Sequence, residues 1–143
     1  MTNKYFTLLI TIFLASCGTT GHIVFYHFNA SKYEVEKEID NLLKADSTFL
    51  VPSKWKEHTE GDYFERKYFY FKSNPEEFYQ IGFTDDSTVW KQSATSRLGF
   101  IAIYQGNQFQ YESDLSSNTI ERITKRFENE VLSRIKYTYY KSE

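Results

Sequence analysis

The segment from Arg97 to Leu115 constrains the fold most. Two runs rich in apolar and aromatic residues, Arg97 to Gln105 and Gln108 to Leu115, flank the dipeptide Gly106-Asn107. A two-residue loop that leads with glycine suits a type II′ turn, whose twist matches that of antiparallel strands. With Gln105 opposite Gln108, strict alternation puts Leu98, Phe100, Ala102 and Tyr104 across from Leu115, Ser113, Tyr111 and Phe109, eight residues on one face. Ile101 and Ile103 then fall on the second face, beside Gln110 and Glu112. A chain with this hairpin must carry an antiparallel sheet and cover at least one of its faces.

The rest of the sequence supplies further strands and the cover. Tyr63 to Lys72 alternates, with Phe69 and Phe71 on one side and Phe64, Tyr68 and Tyr70 on the other. Asn74-Pro75 breaks it. Phe78 to Thr84 resumes, with Tyr79, Ile81 and Phe83 sharing a face. Thr48 to Val51 reads as a short strand ending at Pro52. Asp85-Asp86-Ser87 reads as a turn, followed by a short strand at Val89-Trp90. Ser31-x-x-Glu34 has the spacing of a capping box, and Val35, Ile39, Leu42 and Leu43 follow at helical intervals, which predicts a helix over 32–45. Asn118-x-x-Glu121 offers a second cap. Ile120, Ile123, Phe127, Val131 and Ile135 then form a stripe along a helix to about residue 136. The expected fold is α+β: an antiparallel meander of about five strands, with an N-terminal and a long C-terminal helix packed on one face.

The N-terminus reads as an address. Lys4 precedes Tyr5 to Ala15, about eleven largely apolar residues, the length of a signal-peptide core and short of the ~20 needed to span a bilayer. The run closes on Leu14-Ala15-Ser16-Cys17, which resembles the lipobox of bacterial lipoproteins. That resemblance implies cleavage before Cys17, a diacylglyceryl group on its thiol, and a new N-terminus at that residue. It divides the chain into a signal peptide over 1–16, a lipidated cysteine and tether over 17–30, and one domain over 31–143. Within the tether, Ile23 to Phe28 is too apolar for free linker and reads as an edge strand or a segment packed on the domain. Gly18 follows the cysteine with no acid nearby, and by resemblance to sorting rules in some Gram-negative bacteria this implies an outer-membrane position facing the periplasm.

Composition removes several chemistries. The net charge of −2 becomes −3 once the leader with its Lys4 is gone, so no clustered basic surface for nucleic acid is expected. One cysteine excludes an intrachain disulfide and a multi-cysteine metal site. The three histidines, His22, His27 and His58, form no zinc-protease pattern, and neither a nucleophile elbow nor a phosphate-binding glycine loop occurs. His22 and His27 read as solvent-facing tether residues. In extended backbone His58, Glu60 and Asp62 would share a side, yet Gly61 makes a polar turn the better reading. Asp85 and Asp86 diverge as neighbours in a turn. Asp46-Ser47-Thr48 and Asp86-Ser87-Thr88 each resemble the short O-glycosylation acceptor of Bacteroidota. No catalytic residue, metal ligand or cofactor is assigned. The expected function is a non-enzymatic, lipid-anchored envelope module that binds an envelope protein, with Ile101, Ile103, Tyr68 and Tyr70 as the candidate partner face. Rival expectations are an envelope enzyme acting on carbohydrate or peptide, and a periplasmic inhibitor or immunity-type protein.

Overall fold

A computed structural model describes residues 21–61 and 65–142. The lipobox, Tyr63, Phe64 and Asp62 lie outside these residues. The fold is α+β, a six-stranded antiparallel sheet with its main helices on one face. The strands are β1 (Val24–Phe28), β2 (Arg66–Phe71), β3 (Glu77–Phe83), β4 (Ser96–Gln105), β5 (Gln108–Gln110) and β6 (Tyr139–Ser142). The helices are α1 (Lys32–Ala45), α2 (Ser87–Gln92) and α3 (Ser117–Glu130). Strand order is β2-β3-β4-β1-β6, with β5 hydrogen-bonded to the far end of β4.

Helix α1 forms as its sequence dictates. The Ser31 hydroxyl accepts the Glu34 amide, and the Glu34 carboxylate accepts the Ser31 amide at 2.9 Å. Two of the orphan donors at the helix start are thereby satisfied. Val35, Ile39 and Leu42 bury the inner stripe, with Leu43 half-buried beside them. The helix stops at Ala45, where Asp46 takes over as cap of a 3₁₀ turn, Ser47–Phe49. That turn replaces the strand expected at Thr48 to Val51, because the Asp46 carboxylate accepts the Thr48 amide at 3.1 Å and curls the backbone. Phe49 is left facing inward, edge-on to Phe69 and Phe71.

Asp46 also receives Arg134 at 2.7 Å, which ties the end of α1 to the C-terminal segment. Hydrogen bonds from Thr48 and Arg134 hold its carboxyl down at about 2, below the ordinary 3.8. A depressed pKa in the fold stabilises above the unfolded value and is lost as pH falls through the folded one. Asp46→Asn is therefore expected to unfold more easily than the native chain near neutrality, with the difference closing between about pH 4 and pH 2. Urea midpoints of both proteins across that range check this; a constant difference would refute it.

The second helix was not expected. Asp86 accepts the amides of Thr88 (2.8 Å) and Val89 (3.1 Å), so Val89 and Trp90 lie in α2 instead of a strand. The cap of α3 is Ser116, whose hydroxyl accepts the Thr119 amide at 3.2 Å, and not Asn118. Ile123, Phe127, Val131 and Ile135 bury the predicted stripe. The α-helix itself ends at Glu130, a 3₁₀ turn (Leu132–Arg134) carries the stripe onward, and the chain then returns as β6.

The hairpin keeps its register and loses its symmetry. Gln105 pairs with Gln108. Both Gly106 (φ 60°) and Asn107 (φ 66°) are left-handed, which makes the turn type I′ and not II′. The second arm pairs only through Gln110. Asp114 then accepts the Tyr111 amide at 2.9 Å, and Glu112–Asp114 form a 3₁₀ turn.

On β4 a bulge changes which way the side chains point. Gln80 opposes Ala102 and Ile81 opposes Phe100, so Ile101 is an extra residue without a partner on β3. Leu98 and Phe100 face the helices before the bulge, and Ile103 faces them after it. Ala102 and Tyr104 therefore turn to the opposite face, and the eight-residue single face does not form.

The segment Ile23 to Phe28, read as an edge strand or a segment packed on the domain, contains a strand, Val24–Phe28, but an interior one, paired to β4 on one side and β6 on the other. Its Val24, Tyr26 and Phe28 enter the core. The core accordingly lies between α1, α3 and the inner sheet face, with the Phe127 ring against Tyr26, Phe69 and Phe100 at 5.4–5.8 Å between centroids.

Candidate functional site

The face of the sheet away from α1 and α3 carries the chemistry. Register places Arg97, His27 and Tyr140 side by side across β4, β1 and β6. The next row is Gly99, Phe25 and Ser142. Directly opposed residues of an antiparallel pair are close enough for their side chains to touch, so these six form one patch.

Arg97, His27 and Tyr140 of this patch line a groove. His27 and Tyr140 stack with ring centroids 4.5 Å apart and planes 2° from parallel. His27 Nε2 is 2.8 Å from Ser142 Oγ. Arg97 donates from Nε to the Thr84 hydroxyl at 2.7 Å, meets Asp85 at 3.5 Å, and rests its guanidinium 5.0 Å from the Phe25 ring centre. Asp86 places α2 beside these residues, so Val89 and Ser93 form one wall and Thr138 to Tyr140 the other. The groove is open to solvent and holds about 610 Å³, within the ~300–1,000 Å³ of small-ligand sites. Tyr140 is 65% exposed and Val89 is exposed too, an unusual pairing of apolar surface on a groove rim.

A second hollow of about 470 Å³ adjoins the first and shares Asp85. Gly82 lines it, and the paired Gly99 beside it is covered by His22. A methyl group on Gly99 would collide with the His22 ring, so glycine there is what lets His22 lie on the sheet. Burial lowers the His22 pKa, with Arg97 and Arg66 adding repulsion, and a neutral ring results at neutral pH. Ile101 leans over Gly82. On the far side Lys32, only 4% exposed, is held by Glu36 at 2.7 Å and Glu65 at 2.9 Å, with its ammonium 4.8 Å from the Trp90 ring centre. Burial pulls the Lys32 pKa down, but the two carboxylates outweigh it and keep the group charged. Trp90 Nε1 is buried with no acceptor.

The other end of this face is sealed. Trp55, on a 3₁₀ segment (Ser53–His58), packs on Tyr70, Phe78 and Tyr104. His58 stacks on Tyr104 and bonds its hydroxyl at 2.9 Å. His58 is thus a lid residue over aromatic rings. Among the described residues no group of three His, Cys, Asp or Glu is placed to hold a metal ion.

The anticipated partner face is not brought together. Ile103 is fully buried in the core, on the opposite side of the sheet from Tyr68 and Tyr70. Tyr68 receives Gln80 at 3.1 Å, and Tyr70 donates to Glu76 at 2.8 Å. Ile101 does reach the open face, within the second hollow. Asp85 and Asp86 diverge, one to Arg97 and the other to the cap of α2. Both acid-Ser-Thr tripeptides have the same capped shape, with Ser47, Thr48, Ser87 and Thr88 exposed.

His27 and Tyr140 escape the sequence because they come together only through β6, whose pairing with β1 the sequence does not announce. The signal for His27 was present: Val24-Phe25-Tyr26-His27-Phe28 alternates, with one polar residue on its outer side. The Ser142–His27 contact has the distance of a nucleophile–base pair. Among the described residues no carboxylate bonds the remaining His27 nitrogen, so nothing fixes the tautomer that general-base work requires. The contact serves as a tie between β1 and β6. What the groove can do is bind: it offers an aromatic platform, a paired cation and anion, and a rim of hydroxyls and amides. No known protein family, no curated protein and no solved structure matches this chain.

Proposed function

We propose that the protein is a lipid-anchored, non-enzymatic binding module of the bacterial cell envelope. Acyl chains on Cys17 hold it to the membrane, and the groove beneath Tyr140 receives an envelope component. The observation that carries the anchor is the Leu14-Ala15-Ser16-Cys17 sequence directly after a short apolar leader. Each buried methylene contributes ~0.8 kcal/mol, so two or three chains suffice without a spanning helix. Among the described residues no helix is long and apolar enough to cross a membrane. The outer membrane, periplasmic side, is the proposed address. Support for a binding role comes from the groove, whose tyrosine stays largely exposed beside a charged pair. Burial of Ile103 moves the proposed contact surface from the Tyr68–Tyr70 end to the His27–Tyr140 end.

Metabolic labelling with a radioactive fatty acid tests the anchor. The native chain is expected to carry label and sediment with membranes. Cys17→Ala should lose the label entirely and retain its leader, with a matching increase in mass. An unlabelled native chain with an intact initiator end would overturn the proposal.

A further inference from the structure

The composition of the groove identifies a class of ligand, and we propose that it binds a neutral saccharide, stacked on Tyr140. The inference rests on the binding-module reading and gives its ligand. A pyranose ring has one face of C–H groups and a rim of hydroxyls, so its site needs a flat apolar surface ringed by neutral donors and acceptors. The groove has this arrangement. His27 backs the Tyr140 ring on one side at 4.5 Å and fixes its plane, leaving the other ring face free. Stacking on a ring held in place costs little conformational entropy, because Tyr140 is already ordered. Around it stand Asn29, Thr95 and Thr138, with Ser93 on the α2 wall.

Charge decides against other occupants. Arg97 is the cation of this groove, and it is already engaged by Asp85 and Thr84. An anionic ligand would have to displace or approach that carboxylate, at a cost in repulsion. A neutral polyol meets no such penalty, and the Arg97–Asp85 pair supplies it with a donor and an acceptor at once. A protein partner would ask for a desolvated apolar centre with a polar rim. The groove is instead lined in part by the Arg97–Asp85 pair, and charged residues are what the centre of a protein interface excludes.

The test uses the full chain, lipid included, in a mild non-glycosidic detergent. It is passed over immobilised neutral oligosaccharides built from hexoses and from N-acetylhexosamines, and any retained sugar is titrated by calorimetry. Retention of at least one of these classes is expected. Tyr140→Ala should weaken binding tenfold or more, and Tyr140→Phe, which keeps the platform, should stay within about threefold. Leu50→Ala, an exposed apolar change outside the groove, should leave affinity unchanged. Tyr140 is largely solvent-exposed, so circular dichroism should show all three variants folded. No retention by folded native protein, or equal affinity in Tyr140→Ala, overturns the saccharide. A photo-crosslinker at position 140 distinguishes the two failures: a polypeptide captured there sinks the saccharide but keeps the binding module, whereas an empty groove in whole envelopes sinks both.

Discussion

Glu77→Ala lowers the free energy of unfolding by about 3 kcal/mol, the low end of the range for breaking a buried ion pair. Glu77 is the first residue of β3 and is fully buried. Arg122 grips it through both terminal nitrogens at 2.7 and 3.0 Å, Arg126 adds a contact at 3.2 Å, and the Tyr79 hydroxyl donates at 2.7 Å. Removing the carboxylate leaves two guanidinium groups facing each other over a void and a tyrosine hydroxyl without its acceptor. Arg122 is partly solvent-exposed, and water relieves some of that repulsion, which places the loss at the lower end. Arg126 also holds the carbonyls of Ser73 and Pro75, so the same substitution loosens the β2–β3 turn. Glu77→Gln keeps an acceptor for Tyr79 and should recover part of the loss. Urea denaturation followed by tryptophan fluorescence measures both. A Glu77→Ala midpoint within error of the native chain would show that α3 is held by packing alone.

Phe127→Ala is the second large effect, at about 3–5 kcal/mol. The ring sits where α3 meets the sheet and faces rings from four strands, Tyr26 on β1, Phe69 on β2, Tyr79 on β3 and Phe100 on β4. Those neighbours are anchored by sheet hydrogen bonds and cannot collapse into the gap, which is why a cavity remains. Phe127→Leu should cost less than half as much, since it restores most of the volume. Thermal unfolding by calorimetry reads the difference. Equal losses for Ala and Leu would mean that ring geometry matters more here than filled space.

Much of the scaffold was legible from local chemistry. The capping box at Ser31, the stripe of α3 and the Gln105–Gln108 register each depend on residues close together in sequence, and each is present. What stayed hidden depends on events that leave no local mark. A bulge at Ile101 is invisible in Leu98-Gly99-Phe100-Ile101-Ala102-Ile103-Tyr104 because both faces of this central strand are apolar, so either phase looks plausible. Val89 and Trp90 have the β preference of a strand, yet one carboxylate at Asp86 settles them into a helix. Strand β6 has only four residues, Tyr139–Ser142, too few to carry an alternation of their own. The binding groove went with it, since two of its three central residues, His27 and Tyr140, become neighbours only when β6 pairs with β1. Arg97 was visible as the start of a strand, with nothing to say what stood next to it.

Strand β1 lies between β4 and β6, so the earliest described strand is completed by the latest. Until Tyr139–Ser142 has left the ribosome, one whole border of β1 has bare amides and carbonyls flanking Tyr26 and Phe28. Such a border is a template for any passing extended chain. A stop before Tyr139 would therefore do more than trim an end: it would turn β1 from an interior strand into an adhesive margin and push the protein toward self-association.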